Sequence, residues 1–276
     1  MASPNFNQID GPEAFKSAFG VSRETIEKLS IYEALLKRWQ KTMNLVAPST
    51  LDHIWHRHFA DSAQLLLLLP PRGGGREGGN PDGQKSGFPP TGAARHLPHK
   101  GGGEVSSPSP GHGEAVPSAR GGGGFAEPAH WLDLGSGAGF PGMVLAIMAA
   151  ETGQTRHTLI ESDSRKAAFL AEVARQTSVA VDILCARIEL RETSAKVGLV
   201  DCVTARALAP LPKLVNWAAP YFASHTSGIF MKGQSVKAEL EETSLSWDFA
   251  ADLKPSVTDP SGAIVLLTAL KSKTEG

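Results

Sequence analysis

Short apolar runs alternate with segments of helical periodicity from Trp131 to Gly233, and this alternation restricts the possible folds more than any other feature. The predicted strands HWLDL, RHTLIE, VAVDILCA, LVDCVTA and SGIFMKG begin at residues 130, 156, 179, 199 and 227. The helical segments between them are 141–151, 164–178 and 211–222. This order predicts right-handed βαβ units on a parallel sheet. Two further strand-like runs, 244–253 and 262–270, predict a closing hairpin-like pair.

Two helical segments precede the predicted sheet. The first covers residues 22–44, where Ser22 can cap the helix and the apolar residues follow a period close to 3.6: Ile26, Leu29, Leu36, Trp39 and Met43. The second covers residues 51–69. Together they predict a small helical subdomain over residues 1–70, placed before an α/β domain over residues 129–276.

The segment between these two parts, residues 71–128, has a different composition. It is dominated by Gly, Pro and Ser and has almost no branched aliphatic residues to bury. Such a chain cannot compensate the entropy lost on ordering, so the composition predicts a flexible insertion. Its histidines, His96, His99 and His112, lack a metal-ligand spacing and are expected to be solvated, and we expect no metal site.

The overall composition excludes few functions. The net charge is −1, which neither requires nor forbids a nucleic-acid partner. The longest apolar run, Leu65 to Leu69, is too short to cross a membrane and is followed by Pro70. Cys185 and Cys202 are far apart, and the first residues lack the pattern of a secretory signal. We therefore expect a cytoplasmic protein without a membrane segment.

A glycine-rich turn, WLDLGSGAGFPG, follows the first predicted strand and is compatible with two cofactors. Read as G-x-G-x-x-G from Gly137, it permits a dinucleotide. The strand ends at Leu134, however, so the turn begins at Gly135 and Phe140 occupies the third glycine position. The Asp133 carboxylate would attract the ammonium or sulfonium group of S-adenosylmethionine and repel a pyrophosphate. The register therefore favours S-adenosylmethionine, and a purely structural loop is the remaining alternative.

Glu161 ends the second predicted strand. An acidic residue at this place binds the ribose hydroxyls of either cofactor class. The alternative is a solvated acid that caps the next helix. Glu161 thus indicates an adenosine ribose without deciding which cofactor carries it.

Several other motifs, taken together with the turn, indicate a protein family. NLVAPSTLDHIWHRHFADS, WLDLGSGAGFPG, CARIE, VTARALAPLPKL and FMKG together resemble the glucose-inhibited division protein B family, the small-subunit ribosomal RNA methyltransferases G. The resemblance covers about residues 20–70 and 129–270. It implies a Rossmann-like class I S-adenosylmethionine-dependent methyltransferase with an N-terminal helical subdomain. The insertion at 71–128 departs from the family, in which this connection is normally short.

The resemblance also implies an activity and a set of cofactor contacts. The expected reaction is methylation of N7 of one guanine in the 530 loop of 16S ribosomal RNA, in the small ribosomal subunit. The family's cofactor contacts match Gly135, Phe140, Ile188, Glu189 and Arg206 in this sequence. The residue pattern itself adds Gly137, Gly139 and Glu161. Because guanine N7 already carries a free lone pair, we expect no catalytic base.

Two basic residues follow predicted strands. Arg206 could hold the cofactor carboxylate or an RNA phosphate, and a structural salt bridge is the alternative. Lys232 could bind an RNA phosphate or remain solvated.

In the helical subdomain, Asn44, Arg57 and His58 are the candidate substrate residues. Arg57 and Asp61 are four residues apart, so on a helix they are predicted to pair. His58 could stack on a base or form an interfacial hydrogen bond. Three other functions remain open: methylation of a protein or small molecule, nicotinamide-dependent oxidoreduction, and RNA binding without catalysis.

Overall fold

The computed structural model describes residue 6 and residues 8–68 and 129–273. The predicted flexible insertion, its three histidines and the domain boundaries at its two ends lie outside the described residues. The parts before and after that segment belong to one compact unit. We call residues 8–68 the cap.

A seven-stranded sheet forms the centre of this unit, in the order β3-β2-β1-β4-β5-β7-β6. The first five strands run parallel, and β7 is antiparallel to both β5 and β6. This arrangement confirms the predicted parallel sheet and its closing hairpin. The strands are β1 Ala129–Leu134, β2 Thr155–Glu161, β3 Asp182–Cys185, β4 Val200–Arg206, β5 Phe222–Lys232, β6 Trp247–Pro255 and β7 Ala263–Ser272.

Each face of the sheet packs on its own set of apolar side chains. On one face, Trp131 and Leu159 pack with buried residues of the cap and of α4 Gly142–Ala149 and α5 Ser164–Thr177. On the other face, Leu132 and the neighbouring strand residues pack with the remaining helices: α6 Arg191–Val197, α7 Leu211–Ala218 and α8 Val236–Ser244. Because side chains alternate between faces along a strand, both layers are needed to bury the sheet.

The cap begins with two helices. Helix α2 runs over Arg23–Gln40, and the Ser22 hydroxyl accepts a hydrogen bond from the Thr25 amide at 3.1 Å, as predicted for its N-cap. Helix α1, Pro12–Phe19, was not predicted. Its signals are a proline in the first turn and the buried pair Phe15 and Phe19, four residues apart.

The second half of the cap is less regular than the single helix predicted for it. It consists of a 3-10 helix Pro48–His53, a π-helical turn Trp55–Ala60, a short helix α3 Asp61–Ala63 and a 3-10 turn Gln64–Leu68. A π turn bonds residues five apart and so breaks the four-residue spacing. The predicted pair of Arg57 with Asp61 is therefore wrong: Arg57 faces Asp259 at 3.4 Å and Asp61 faces Arg206 at 3.3 Å.

Candidate active site

The glycine-rich turn connects β1 to α4 at the carboxyl end of the parallel strands. Gly135, Gly137 and Gly139 all have positive φ angles, of 62°, 57° and 96°. A side chain at Gly137 would meet no atom nearer than the Gly135 carbonyl oxygen, 3.8 Å away. The backbone thus borders open space at Gly137, where a ligand can approach it closely.

Glu161, the last residue of β2, holds this turn in place. Its carboxylate accepts hydrogen bonds from the amides of Gly137 at 2.7 Å and Asp163 at 2.8 Å. The residue is buried, and Asp163, not Glu161, caps α5 through the amide of Arg165. The alternative of a solvated helix cap is therefore wrong for Glu161. Each carboxylate oxygen keeps a second lone pair, so the group can still accept from ribose hydroxyls.

Asp133 lies beneath the turn and has no open face toward a ligand. Its carboxylate accepts hydrogen bonds from the Thr204 hydroxyl at 2.7 Å and the Gly142 amide at 3.3 Å, and the residue is 2% exposed. The attraction of Asp133 for the ammonium or sulfonium group of the cofactor stays a prediction. Burial raises the pKa of Asp133 to about 6, against the lowering effect of these hydrogen bonds.

We expect the stability of the protein to fall by about 1 kcal/mol between pH 5 and pH 7, relative to an Asp133→Asn variant. The folded-state pKa of Asp133 lies above its unfolded value of 3.8, so the folded state holds the proton more tightly. That stabilisation is present at low pH and is lost as pH rises through the folded pKa. Urea unfolding of both proteins at several pH values measures the difference, and a pH-independent difference would contradict the prediction.

Phe140 joins the turn to the cap. Its ring stacks between His58, with centroids 4.6 Å apart, and Tyr32, with centroids 5.5 Å apart. Phe140 is 8% exposed, and its ring is enclosed by these two cap side chains. The Tyr32 hydroxyl also donates a hydrogen bond to the Ala138 carbonyl. Sequence reasoning missed Tyr32, because its place on the apolar face of α2 indicates only a core residue.

His58 is the interfacial histidine that the sequence left as an alternative. It is buried, and its Nε2 lies 2.8 Å from the Thr50 hydroxyl. Burial and the nearby Arg206 and Arg57 lower its pKa to about 3, so the ring is neutral at physiological pH. The alternative in which His58 stacks on an RNA base is disfavoured, because its ring is buried against Phe140.

Arg206, the last residue of β4, links the sheet to the cap. Its Nη2 donates to the carbonyl oxygen of Arg57 at 3.0 Å, and its guanidinium carbon lies 5.9 Å from the Phe140 ring centroid. Nη1 stands 3.3 Å from the Asp61 carboxylate but lacks hydrogen-bond geometry to any described atom. The alternative of a structural salt bridge is therefore present, and one buried nitrogen of Arg206 has no hydrogen-bond partner among the described residues.

The other predicted site residues lie in different surroundings. Lys232 pairs with Glu239 at 2.6 Å and donates a hydrogen bond to the Ala209 carbonyl oxygen. Because its ammonium is engaged inside the protein, both predictions for Lys232, an RNA phosphate contact and a solvated side chain, are corrected. Asn44 is exposed in the turn after α2, near Gln40. In the loop after β3, Ile188 is half-buried, and Glu189 is exposed and pairs with Arg187 at 3.2 Å.

A cavity of about 210 Å³ opens at the carboxyl ends of β4 and β5. We call it the edge cavity. Cap residues and the loop between β6 and β7 complete its walls, which include Arg57, Asp61, Arg206, Met231, Asp259 and Ile264. Open α/β sheets bind ligands outside the carboxyl ends of their strands, and the strand order of this sheet reverses between β1 and β4, the strand that carries Arg206. Sequence reasoning missed Asp259, because nothing in the local pattern TDPSG brings it near Arg57.

Neither a membrane-spanning helix nor a metal-binding cluster occurs in the described part of the chain. Within residues 8–68 and 129–273, no helix is long and apolar enough to span a bilayer. The same residues contain no group of three or more histidine, cysteine or acidic side chains suited to a metal ion.

Comparison with known proteins decides the family. The family model described as rRNA small subunit methyltransferase G, GidB, matches residues 25–73 and 123–261. The chain belongs to this family. The match spans most of the cap and the sheet as far as the loop between β6 and β7, and it ends before β7 and Ile264.

Individual members of the family align over nearly the whole chain. A ribosomal RNA small subunit methyltransferase G from Parvibaculum lavamentivorans is 37% identical over 95% of this chain and 91% of its own. Proteins of the same name from Methylobacterium radiotolerans and Rhodospirillum rubrum are 38% and 39% identical, over 92% of this chain and 92% and 95% of theirs. Crystalline Aeropyrum pernix fibrillarin with natively bound S-adenosyl-L-methionine shares 16% identity over 51% of this chain and 67% of its own, with a TM-score of 0.42.

As a member of the GidB family, the protein is an S-adenosylmethionine-dependent methyltransferase with a class I methyltransferase fold. The turn fits this cofactor, because Gly137 leaves its backbone open and Glu161 retains lone pairs beside it. The dinucleotide alternative, which rested on the glycines alone, is excluded by the family. The cofactor supplies an electrophilic methyl group, and the protein supplies binding and orientation.

Proposed function

We propose that this methyltransferase transfers the methyl group of S-adenosylmethionine to N7 of the guanine in the 530 loop of 16S ribosomal RNA. The family and the names of its members support ribosomal RNA of the small subunit as the substrate. The motifs RHFADS and TARA, shared with that family, support the finer assignment. A protein that acts on ribosomal RNA is expected in the cytoplasm.

The assignment of N7 as the acceptor atom rests on the hydrogen bonds and protonation of the acidic and histidine side chains around the turn. Asp133 and Glu161 are bonded within the protein, and the His58 pKa of about 3 makes its ring a poor proton acceptor at neutral pH. An exocyclic amine or a hydroxyl acceptor must lose a proton during methyl transfer. Guanine N7 carries a free lone pair and needs no such group. The arrangement of these three residues therefore supports N7, and we assign no catalytic base.

Positioning is then the main task of the protein. We propose that the backbone of Gly135 and Gly137 borders the cofactor, while Glu161 accepts hydrogen bonds from its ribose. Ile188 and Glu189 are proposed to border the adenosine, since their loop begins where the Ala186 amide bonds to the Glu161 carbonyl at 3.1 Å. Gly139 and Phe140 support the turn from the cap side.

Two arginine residues at the edge cavity are the proposed contacts to the cofactor carboxylate and to RNA phosphate. Arg206 has a buried N–H group to offer to the cofactor carboxylate or to an RNA phosphate. Arg57 is nearly half exposed and can bind RNA phosphate at the cavity mouth. Asn44, exposed in the cap, remains a predicted RNA contact.

A methylation assay tests this function directly. Purified protein and labelled S-adenosylmethionine are incubated with small subunits that lack the 530-loop methyl group, and N7-methylguanine is mapped by reductive strand cleavage. We expect protein-dependent cleavage at the 530-loop guanine, with S-adenosylhomocysteine as the inhibitory control. Label in ribosomal proteins or metabolites would support the other methyltransferase functions, and RNA binding without label would indicate a non-catalytic protein.

A further inference from the structure

The floor of the edge cavity is a row of residues across three strands. Arg206 of β4 is in register with Met231 of β5, and Met231 is in register with Ile264 of β7. Residues directly opposite in a sheet point to the same face, so these three side chains lie side by side. The row combines one guanidinium with two apolar side chains, which suits the face of a planar base.

The lining and position of the edge cavity fit one base removed from its stack. The cavity has a volume of about 210 Å³, and its lining combines arginine side chains with the apolar Met231 and Ile264. Arg206 lines the cavity, and its guanidinium carbon also lies 5.9 Å from the Phe140 ring centroid of the glycine-rich turn. One side chain thus links the cavity to the turn that holds the methyl donor. Enzymes that modify a base take it out of the stack into such a pocket.

Two carboxylates line the edge cavity, and they differ in how many of their oxygens already accept hydrogen bonds or pair with a cation. Asp61 accepts from the Thr258 hydroxyl and the Gln64 amide through one oxygen and faces Arg206 through the other. Asp259 accepts from the amide and hydroxyl of Ser261 through Oδ1, whereas Oδ2 has only a 3.4 Å contact with Arg57. The Asp259 side chain is 33% exposed. Asp259 is thus the carboxylate with an oxygen available to a ligand.

The loop that carries Asp259 is fixed to the cap before any ligand binds. Gln64 accepts from the Val257 amide at 2.8 Å and donates to the hydroxyls of Ser256 and Thr258, both at 3.1 Å. Nε2 of His56 lies 3.0 Å from the Thr258 carbonyl. Such preorganisation reduces the entropy that a bound base must compensate.

The chemistry of guanine determines which of its edges faces this loop. N7 and O6 lie on one edge of the base, whereas N1–H and the 2-amino group lie on the opposite, Watson–Crick edge. When N7 points toward the methyl donor, the Watson–Crick edge points away from the turn, toward β7 and Asp259. A carboxylate accepts from these two adjacent donors, but it would be repelled by the unprotonated N1 of adenine or N3 of cytosine.

We propose that Asp259 is the residue by which this enzyme selects guanine, accepting hydrogen bonds from N1–H and the 2-amino group of a base held in the edge cavity. This assignment rests on the proposed function and adds a specificity-determining residue to it. Arg57 and Arg206 flank the base, and Met231 and Ile264 support its face. Ionised Asp259 is expected at neutral pH, because hydrogen bonds from Ser261 lower its pKa.

The test combines one protein substitution with one substitution in the RNA. In Asp259→Asn, Oδ1 keeps its bonds to Ser261, while the acceptor that faces the base becomes an NH₂ donor. Small subunits are reconstituted with guanine or inosine at the target position, since inosine keeps N7, O6 and N1–H but lacks the 2-amino group. We expect the wild-type enzyme to methylate guanine about 5- to 150-fold more efficiently than inosine, in kcat/KM. Asp259→Asn should lose a similar factor on guanine and show little discrimination.

Matched measurements separate an effect on base recognition from an effect on folding. Asp252→Asn makes the same change at an exposed residue of β6, paired with Lys254, and should leave kcat/KM and base preference unchanged. Calorimetric affinity for S-adenosylhomocysteine and the thermal midpoint should be the same in both variants. If Asp259→Asn does not fold, equal wild-type rates on guanine and inosine still overturn the assignment.

The outcomes distinguish this inference from the proposed function. A wild-type enzyme that methylates the 530-loop guanine but accepts inosine equally, or an Asp259→Asn variant that keeps full discrimination, overturns the role of Asp259 while the function stands. A wild-type enzyme that does not methylate small subunits overturns both.

Discussion

Replacement of Arg206 with methionine is expected to lower methyl transfer at least 100-fold and the free energy of unfolding by roughly 3 kcal/mol. The substitution leaves the largely buried Asp61 carboxylate without its cation and removes the donor to the Arg57 carbonyl. Breaking a buried ion pair from one side is costly because the remaining charge stays desolvated. Activity should fall further than stability explains, since Arg206 also borders the cofactor turn and the edge cavity.

The double variant Arg206→Met/Asp61→Asn separates these two effects. It removes both charges, so much of the lost stability should return, as measured by urea unfolding. Methyl transfer and calorimetric affinity for S-adenosylhomocysteine should remain low, because the guanidinium is still absent. Recovery of activity together with stability would show that Arg206 acts only as a structural bridge.

Arg156→Met provides the matched control for Arg206. Arg156 pairs with Asp182 at 2.9 Å, but both side chains are more than half exposed. Such a surface pair contributes little, so stability and methyl transfer should both stay close to wild type.

The sheet was predictable because its signals are local. Alternating apolar runs such as HWLDL and RHTLIE are long enough to define strands, and all five predicted parallel strands occur. The glycine positions follow equally from local geometry: the positive φ angles at Gly135 and Gly137 are angles that a non-glycine residue rarely adopts. The register argument for S-adenosylmethionine succeeded because it needed only the end of β1.

The predictions that failed concern side chains whose partners are distant in the sequence. Nothing in the local sequence indicates that the Phe140 ring is held by Tyr32 and His58 of the cap. Asp61 was paired with its helical neighbour, whereas its cation comes from β4. No local spacing encodes such contacts, and the π turn removes the helical spacing on which one of them relied.

The cap therefore contributes to the cofactor turn as well as covering the sheet. The Tyr32 hydroxyl bonds to the carbonyl before Gly139, and the Phe140 ring is enclosed after it. Substitutions at Gly139 and Gly137 should thus have different consequences, although both residues belong to the same turn and have positive φ.

Gly139→Ala is expected to destabilise the protein by roughly 3 kcal/mol or more, through backbone strain and overpacking together. The added methyl group would overlap the Tyr32 hydroxyl and lie 2.8 Å from Met143 Cβ and 3.0 Å from Leu170 Cδ2. Gly137→Ala incurs only the strain, about 1 kcal/mol, because its methyl group enters open space. That space belongs to the cofactor, so Gly137→Ala should instead weaken binding of S-adenosylhomocysteine.

Thermal unfolding and calorimetry of both glycine variants measure this contrast. Gly139→Ala combined with Tyr32→Phe should recover part of the lost stability, because removal of the hydroxyl relieves the closest overlap. The same Tyr32→Phe change in the Gly137→Ala background should give no recovery. Equal thermal midpoints for Gly137→Ala and Gly139→Ala would mean that cap side chains do not close over Gly139, and that the strand-to-helix turn keeps its shape without them.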